Sequence, residues 1–203
     1  RSQVKSVLRD RHGFMWFATP FGLCRYDGYR FRNFYSFERD TMTLRSNRVD
    51  EVQEAHDGRL WLNHGMNYSV FDPITEKVDR TPSRWLASLG MKGGLETVCI
   101  DSQKRYWVKS YDSGFYCYNP HTKHLTKIAF GYEMGSFPKD FAISHASDYK
   151  DDAQLFVSNL GELMCVDGNV GVVQWRDDYV KKAMNTFTEY DVFYDKPNDQ
   201  IWV

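Results

Sequence analysis

Short apolar clusters recur along this chain at a near-constant interval. They read Met15-Trp16-Phe17, Leu60-Trp61-Leu62, Tyr106-Trp107-Val108, Leu155-Phe156-Val157 and Ile201-Trp202-Val203. Their central aromatics lie 45 to 49 residues apart by subtraction of their numbers. Each aromatic is flanked by apolar residues on both sides, the pattern of a short strand covered on both faces. A turn precedes each cluster: His12-Gly13, Asp57-Gly58, Gln103-Lys104, Asp151-Asp152 and Asn198-Asp199. Before the turn comes another strand, marked by Val4, Val7 and Leu8, by Val49 and Val52, and by Leu95, Val98 and Ile100.

A third strand follows each cluster and closes on Tyr26-Asp27-Gly28, Phe71-Asp72-Pro73, Tyr118-Asn119-Pro120 or Val166-Asp167-Gly168. Asp-Gly favours a tight turn because glycine accepts positive φ, and the Pro pairs suit slightly longer ones. A fourth strand comes next, at 31–34, 77–80, 125–128 and 170–175. Four short strands per repeat with an aromatic anchor is the sequence form of a propeller blade, whose faces are buried only by stacking on its neighbours. The pattern predicts an all-β chain with blades at 4–35, 49–80, 95–128 and 142–175, and the start of a fifth at 189–203. That is a β-propeller of about four and a half four-stranded blades, part of an incomplete ring expected to hold about seven. Only three residues precede the first strand, so the fifth blade has nothing to borrow and the natural protein is expected to continue past Val203. Helix is expected only in links between blades, at Ser83–Leu89 and Tyr179–Met184.

Composition narrows the function classes. The 26 basic and 27 acidic residues are intermixed, with no basic block to track a phosphate backbone, so no nucleic acid partner is expected. No apolar run approaches the roughly 20 residues that span a bilayer. Cys24, Cys99, Cys117 and Cys165 form no C-x-x-C pair, so neither a zinc site nor a redox pair is indicated. Three of them fall on third strands and Cys99 on a first strand. Sheets stack about 10 Å apart, whereas a disulfide needs Cα atoms within about 7 Å, so four free thiols are expected. No catalytic residue, metal or cofactor is assigned.

The first repeat closely resembles the two-component regulator propeller repeat, V-x-x-I-x-x-D-x-x-G-x-x-W-x-x-T-x-x-G-L-x-x-Y-D. Asp10, Gly13, Trp16, Thr19, Gly22, Leu23, Tyr26 and Asp27 match it. The second repeat keeps Asp57-Gly58, Trp61 and Asp72, and the fourth keeps Gly161 and Asp167 with Phe156 in place of Trp. The resemblance implies the periplasmic sensor region of a hybrid two-component sensor kinase. Such a region binds oligosaccharides from complex glycans and controls transcription through the rest of the protein. It further implies a homodimer in the full-length receptor, and membrane attachment only through downstream segments. The fragment itself is expected not to be an enzyme. The competing readings are a propeller lyase or hydrolase acting on glycans, and a protein–protein scaffold.

Candidate binding residues lie where the repeat is interrupted, because loops held by a rigid scaffold carry function. These loops are 19–21, 45–48, 64–67, 80–94, 109–113, 129–140 and 176–188. Sugar recognition calls for a flat aromatic beside planar polar groups. Trp85, Tyr111 and Tyr132 are candidate platforms. Arg45, Asn47, Arg48, His64, Asn67, Lys109 and Asp112 are candidate hydrogen-bonding groups. The two longest links flank the 109–113 loop, so Trp85, Tyr111, Asp112 and Tyr132 are expected in one neighbourhood. The polar series three residues beyond each anchor, Thr19, His64, Ser110 and Asn159, reads as strand-end structure rather than as a site.

Overall fold

A computed structural model describes residues 3–91, 93–111, 114–129, 142–184, 186 and 188–203. They are folded as five sheets, four of them four-stranded with their strands in sequential order. The chain divides into two compact units, Arg1–Glu96 with Ser110–Ser113, and Thr97–Lys109 with Gly114–Val203.

The first unit holds two complete sheets. One comprises β1 (Ser6–Arg9), β2 (Met15–Thr19), β3 (Gly22–Tyr26) and β4 (Phe31–Phe34). The other comprises β5 (Glu51–Glu54), β6 (Leu60–Asn63), β7 (Tyr68–Phe71) and β8 (Val78–Asp79), followed by α1 (Ser83–Ser88). Side chains alternate across each strand. Trp16, Ala18 and Leu23 therefore leave one face of the first sheet together and meet Val52, Leu60, Leu62 and Phe71 of the second. The Trp16 ring meets Phe71 edge-on, with centroids 5.5 Å apart.

A buried indole N–H needs an acceptor, and Asp10 supplies it. Its Oδ2 accepts from Trp16 Nε1 at 2.7 Å, while Oδ1 accepts the backbone N–H groups of His12 and Phe14. One carboxylate thus shapes the β1–β2 turn and seats the anchor. The adjacent Arg11 reaches the next sheet, donating to Glu54 Oε1 and to the carbonyls of Ala55 and His56.

The second unit repeats the device. It carries most of the sheet formed by β9 (Leu95–Ile100), β10 (Tyr106–Ser110), β11 (Gly114–Asn119) and β12 (His124–Lys127). Next come β13 (Ile143–Asp148), β14 (Gln154–Ser158), β15 (Leu163–Asp167) and β16 (Val172–Asp177). After α2 (Tyr179–Met184), β17 (Phe193–Asp195) and β18 (Gln200–Trp202) form a two-stranded sheet. Asp101 accepts from Trp107 Nε1 at 2.9 Å and from Arg105 Nε at 2.7 Å, and Arg105 Nη2 reaches the carbonyl of Asp152. The turn glycine Gly168 also serves close packing, since a Cβ there would lie 2.6 Å from the Trp107 ring and 2.7 Å from Cys117 Sγ.

The fourth anchor is displaced by one residue from the sequence reading. Asp10 N–H bonds to Phe14 O, Asp101 N–H to Arg105 O, and in the fourth repeat Tyr149 N–H to Ala153 O. Counting six residues on from Asp10, Asp101 and Tyr149 reaches Trp16, Trp107 and Leu155. Leu155 points toward the two-stranded sheet, in one cluster with Val192, Tyr194 and Ile201. Phe156 is fully buried but turns the other way, onto Trp107 at 5.2 Å. A one-residue shift exchanges the faces of a strand, and aromatic identity alone misled the phasing. Tyr149 occupies the turn position held by Asp10 and Asp101, and Leu155 has no side-chain N–H to satisfy.

The two helices fall in the links where the sequence placed them. All four cysteines are free, and burial pushes the Cys117 thiol up to about 12 and Cys165 up to about 11. Among the described residues no helix is long and apolar enough to cross a membrane.

Asp10→Ala should destabilise the protein by about 2–3 kcal/mol, because it strips a charge-assisted bond from a buried indole. Urea unfolding measures this. A midpoint equal to that of the unsubstituted protein would show that the carboxylate is dispensable.

Candidate functional site

In the first unit, one end of the two sheets is built by the β2–β3 turn, the β6–β7 turn and the 35–50 segment between the sheets. The β2–β3 turn is closed by Thr19, whose hydroxyl donates to Gly22 O at 2.8 Å and accepts Phe21 N–H at 3.1 Å. Gly22 has φ +133°, and a Cβ on it would lie 2.5 Å from the Phe34 carbonyl oxygen, so no larger residue fits there unchanged. The Tyr35 ring lies against this glycine. Phe21, at the tip, has no core to enter and is 66% exposed; Tyr35 is 44% exposed.

The 35–50 segment is stitched to both turns. Leu44 N–H bonds to Tyr35 O, Val49 N–H to Thr19 O and Asp50 N–H to Asn63 O. The Asn47 side-chain carbonyl accepts Ser36 N–H at 2.7 Å. Arg80 clasps the inside of the segment, donating to the carbonyls of Asp40, Thr43 and Leu44. Arg45 donates from Nη1 to Arg80 O at 2.8 Å, and Arg48 pairs with Asp50 at 2.8 Å.

His64 fastens the β6–β7 turn to this segment. It is buried, with Nδ1 2.6 Å from Arg48 O and Nε2 2.8 Å from Ser69 Oγ. A carbonyl oxygen can only accept, so Nδ1 carries the proton and Nε2 accepts from the serine hydroxyl. Burial holds the His64 pKa below its ordinary 6.5; the nearby Arg45 and Arg80 push it the same way, against the Arg48 carbonyl and Asp50. His64 is therefore a neutral brace. The Asn67 carbonyl accepts His64 N–H at 2.8 Å, leaving the Asn67 side chain exposed on the turn.

Five of the ten predicted residues, Arg45, Asn47, Arg48, His64 and Asn67, are thus brought together. The others are placed differently. Trp85 is half-buried on α1 against Trp61, with ring centroids 6.1 Å apart. Lys109 is buried in β10 and has interactions of its own. Tyr111 is exposed and covers Gly94, to whose carbonyl its N–H donates. Asp112 and Tyr132 lie outside the described residues, as does most of the 129–140 loop. The rings that stand at the assembled end are Phe21 and Tyr35, which the sequence reading did not single out as platforms. The available signal was a large aromatic at a two-residue hairpin tip, where packing gives it no task. In the strand-end series, Thr19 bonds within its turn, His64 bonds to Arg48 O and Ser69 Oγ, and Asn159 Oδ1 accepts Ala142 N–H.

Flat apolar rings beside planar amides and guanidinium groups suit a polyhydroxylated ring with one apolar face. Both ring nitrogens of His64 are engaged, so this histidine is not free to act as a base. Among the described residues, no three His, Cys, Asp or Glu side chains gather closely enough to hold a metal ion.

Neither a family model nor a curated protein matches the chain. Solved structures do. The extracellular domain of BT3049 from B. thetaiotaomicron, named as a hybrid two component system, superposes on 98% of this chain with TM-score 0.64 and 19% identity. This chain spans 27% of that structure's length. A streptogramin B lyase matches over 97% of this chain and 60% of its own, with TM-score 0.60 and 14% identity. Virginiamycin B lyase from Staphylococcus aureus matches over 86% and 55%, with TM-score 0.55 and 12% identity. At such identities the likeness is one of fold. It agrees with the propeller repeats read in the sequence: this chain has a propeller-like fold, which the extracellular domain and the lyases share.

His64 gives a pH signature. Its folded pKa is depressed, so the unfolded chain binds the proton more readily. The stability it contributes is complete above 6.5 and is lost as pH falls below that value. Between about pH 7.5 and about pH 5.5 the urea midpoint should fall further in the unsubstituted protein than in His64→Gln. Equal falls would mean that His64 is not a buried neutral brace.

Proposed function

We propose that this chain belongs to the ligand-sensing region of an extracytoplasmic two-component receptor and binds an oligosaccharide at the end of its first unit. The observation that carries the reading is the pairing of exposed Phe21 and Tyr35 with Arg45, Asn47, Arg48 and Asn67 on turns fixed by Thr19, Gly22 and His64. Aromatic faces take the apolar side of a sugar ring, and the amides and guanidinium groups take its hydroxyls. The fold shared with an extracellular sensor domain and the sequence of the first repeat support a periplasmic place for it. On this reading the kinase, the membrane anchor and homodimerisation belong to other parts of a longer protein, and the output is control of transcription.

A lyase reading is favoured by the shared fold of the streptogramin and virginiamycin B enzymes. Against it, the one histidine at the assembled end is turned inward and bonded at both nitrogens. Product formation on a glycan panel separates the two readings.

The test is a thermal-shift screen of the complete extracellular region against glycan fragments, since a ligand that binds only the folded state raises its melting temperature. For a fragment that binds, Phe21→Ala with Tyr35→Ala should weaken affinity at least tenfold, about 1.4 kcal/mol, with the unliganded melting temperature nearly unchanged. Full affinity in that double variant would place the ligand elsewhere.

A further inference from the structure

The first two sheets are clamped by charge at the end where the Asp27 and Asp72 turns stand. Arg25 pairs with Trp16 and with Arg32, so all three share the face turned to the second sheet. Both guanidinium groups pair with Glu76 of that sheet, Arg25 at 3.9 Å. Glu76 closes the β7–β8 turn, its N–H donating to Asp72 O.

The third and fourth sheets repeat this geometry with other residues. Cys117 stands two residues before Asn119, as Arg25 stands before Asp27, and it pairs with Thr126 as Arg25 pairs with Arg32. Gly171 N–H donates to Asp167 O, which puts this glycine in the place of Glu76. A thiol, a hydroxyl and a hydrogen atom thus stand where the first pair of sheets carries two guanidinium groups and a carboxylate.

A cleft of about 450 Å³ lies at this place, wholly within the second unit and between two complete sheets. Asn119, Thr122, His124 and Thr126 line it from the third sheet, and Gly168 and Asn169 from the β15–β16 turn. Cys117, buried in the cluster that holds Trp107 and Phe156, closes its inner side. The walls are pinned to each other. Ala129 N–H donates to Gly171 O at 2.7 Å, and a Cβ on Gly171 would lie 2.5 Å from Lys127 O. Asn119 Oδ1 accepts the N–H groups of His121 and Thr122, which fixes the amide and leaves its NH2 group as a donor. Asp167 Oδ1 holds the N–H groups of Asn169 and Val170 in the same way.

We propose that this cleft binds a small neutral polyol of monosaccharide size. No lining side chain bears a carboxylate, ammonium or guanidinium group, so nothing there favours a charged ligand. Amide, hydroxyl and imidazole groups donate and accept, as the hydroxyls of a sugar do. The volume falls within the roughly 300–1,000 Å³ of small-molecule sites, and pinned walls are already formed before a ligand arrives. The cleft shares no residue with the oligosaccharide site proposed above, so either can fail alone.

NMR of the full chain with labelled threonine methyl groups tests this, with glucose, galactose and arabinose as probes. At least one probe should shift the Thr122 and Thr126 methyl signals saturably. His124→Ala, at an exposed position, should weaken that binding about fivefold, the worth of one hydrogen bond. Thr126→Arg, which sets in the cleft the side chain found at Arg32, should abolish the Thr122 shift. An unchanged circular dichroism spectrum shows that each variant is folded, and His124→Ala alone decides the matter if Thr126→Arg does not fold. Methyl signals unmoved by all three probes, or a Thr122 shift with the same midpoint in the folded variants, would overturn the proposal.

Discussion

Burying an indole leaves one N–H in need of an acceptor, and the first and third repeats meet that need with a carboxylate six residues earlier. Asp10 and Asp101 bond to Trp16 and Trp107 at 2.7 and 2.9 Å. The same carboxylates accept turn N–H groups, so one side chain serves both the turn and the anchor. Arg11 and Arg105, beside those turns, reach forward to carbonyls of the following sheet. One local interaction thereby fixes strand register, face and stacking partner. Where the anchor is Leu155 the need disappears, and Tyr149 stands at the turn. The loops of the candidate site inherit their positions from this arrangement, because β2 and β6 run directly from the anchors to Thr19 and His64.

Much of this was readable in the sequence. Recurrence of the anchors, alternation around them and the turn pairs located the strands of the four-stranded sheets and both short helices. The phasing of the fourth repeat was not readable, because Leu155 and Phe156 are adjacent and equally suited to a core. Only the hydrogen bond from Tyr149 to Ala153 tells which one stands in the anchor position. In the same way, Gly168 reads as a turn glycine, while its closeness to Trp107 depends on tertiary packing.

The candidate site was legible in its polar half. Arg45, Asn47, Arg48, His64 and Asn67 flank one turn and one link, so sequence position already brings them to one end of the first unit. Trp85 stands apart from them, on a short helix with its half-buried ring against Trp61. Phe21 and Tyr35 were hidden in the sequence. Both follow strands closely and look like strand residues until Gly22 is seen to bring the Tyr35 ring under the hairpin tip. His64 shows how a residue type associated with chemistry can serve as a brace: two bonds and burial take away its availability as a base.

The central claim is that the ligand is read at the end of the first unit formed by the 19–22 turn, the 35–50 segment and the 63–67 turn. Hydrogen–deuterium exchange of the complete extracellular region, with and without a fragment that binds it, tests that claim most directly. The account predicts slowed exchange in those three segments, with Val49, Asp50 and His64 amides among the protected. Protection confined to other segments, with these three unchanged, would contradict it.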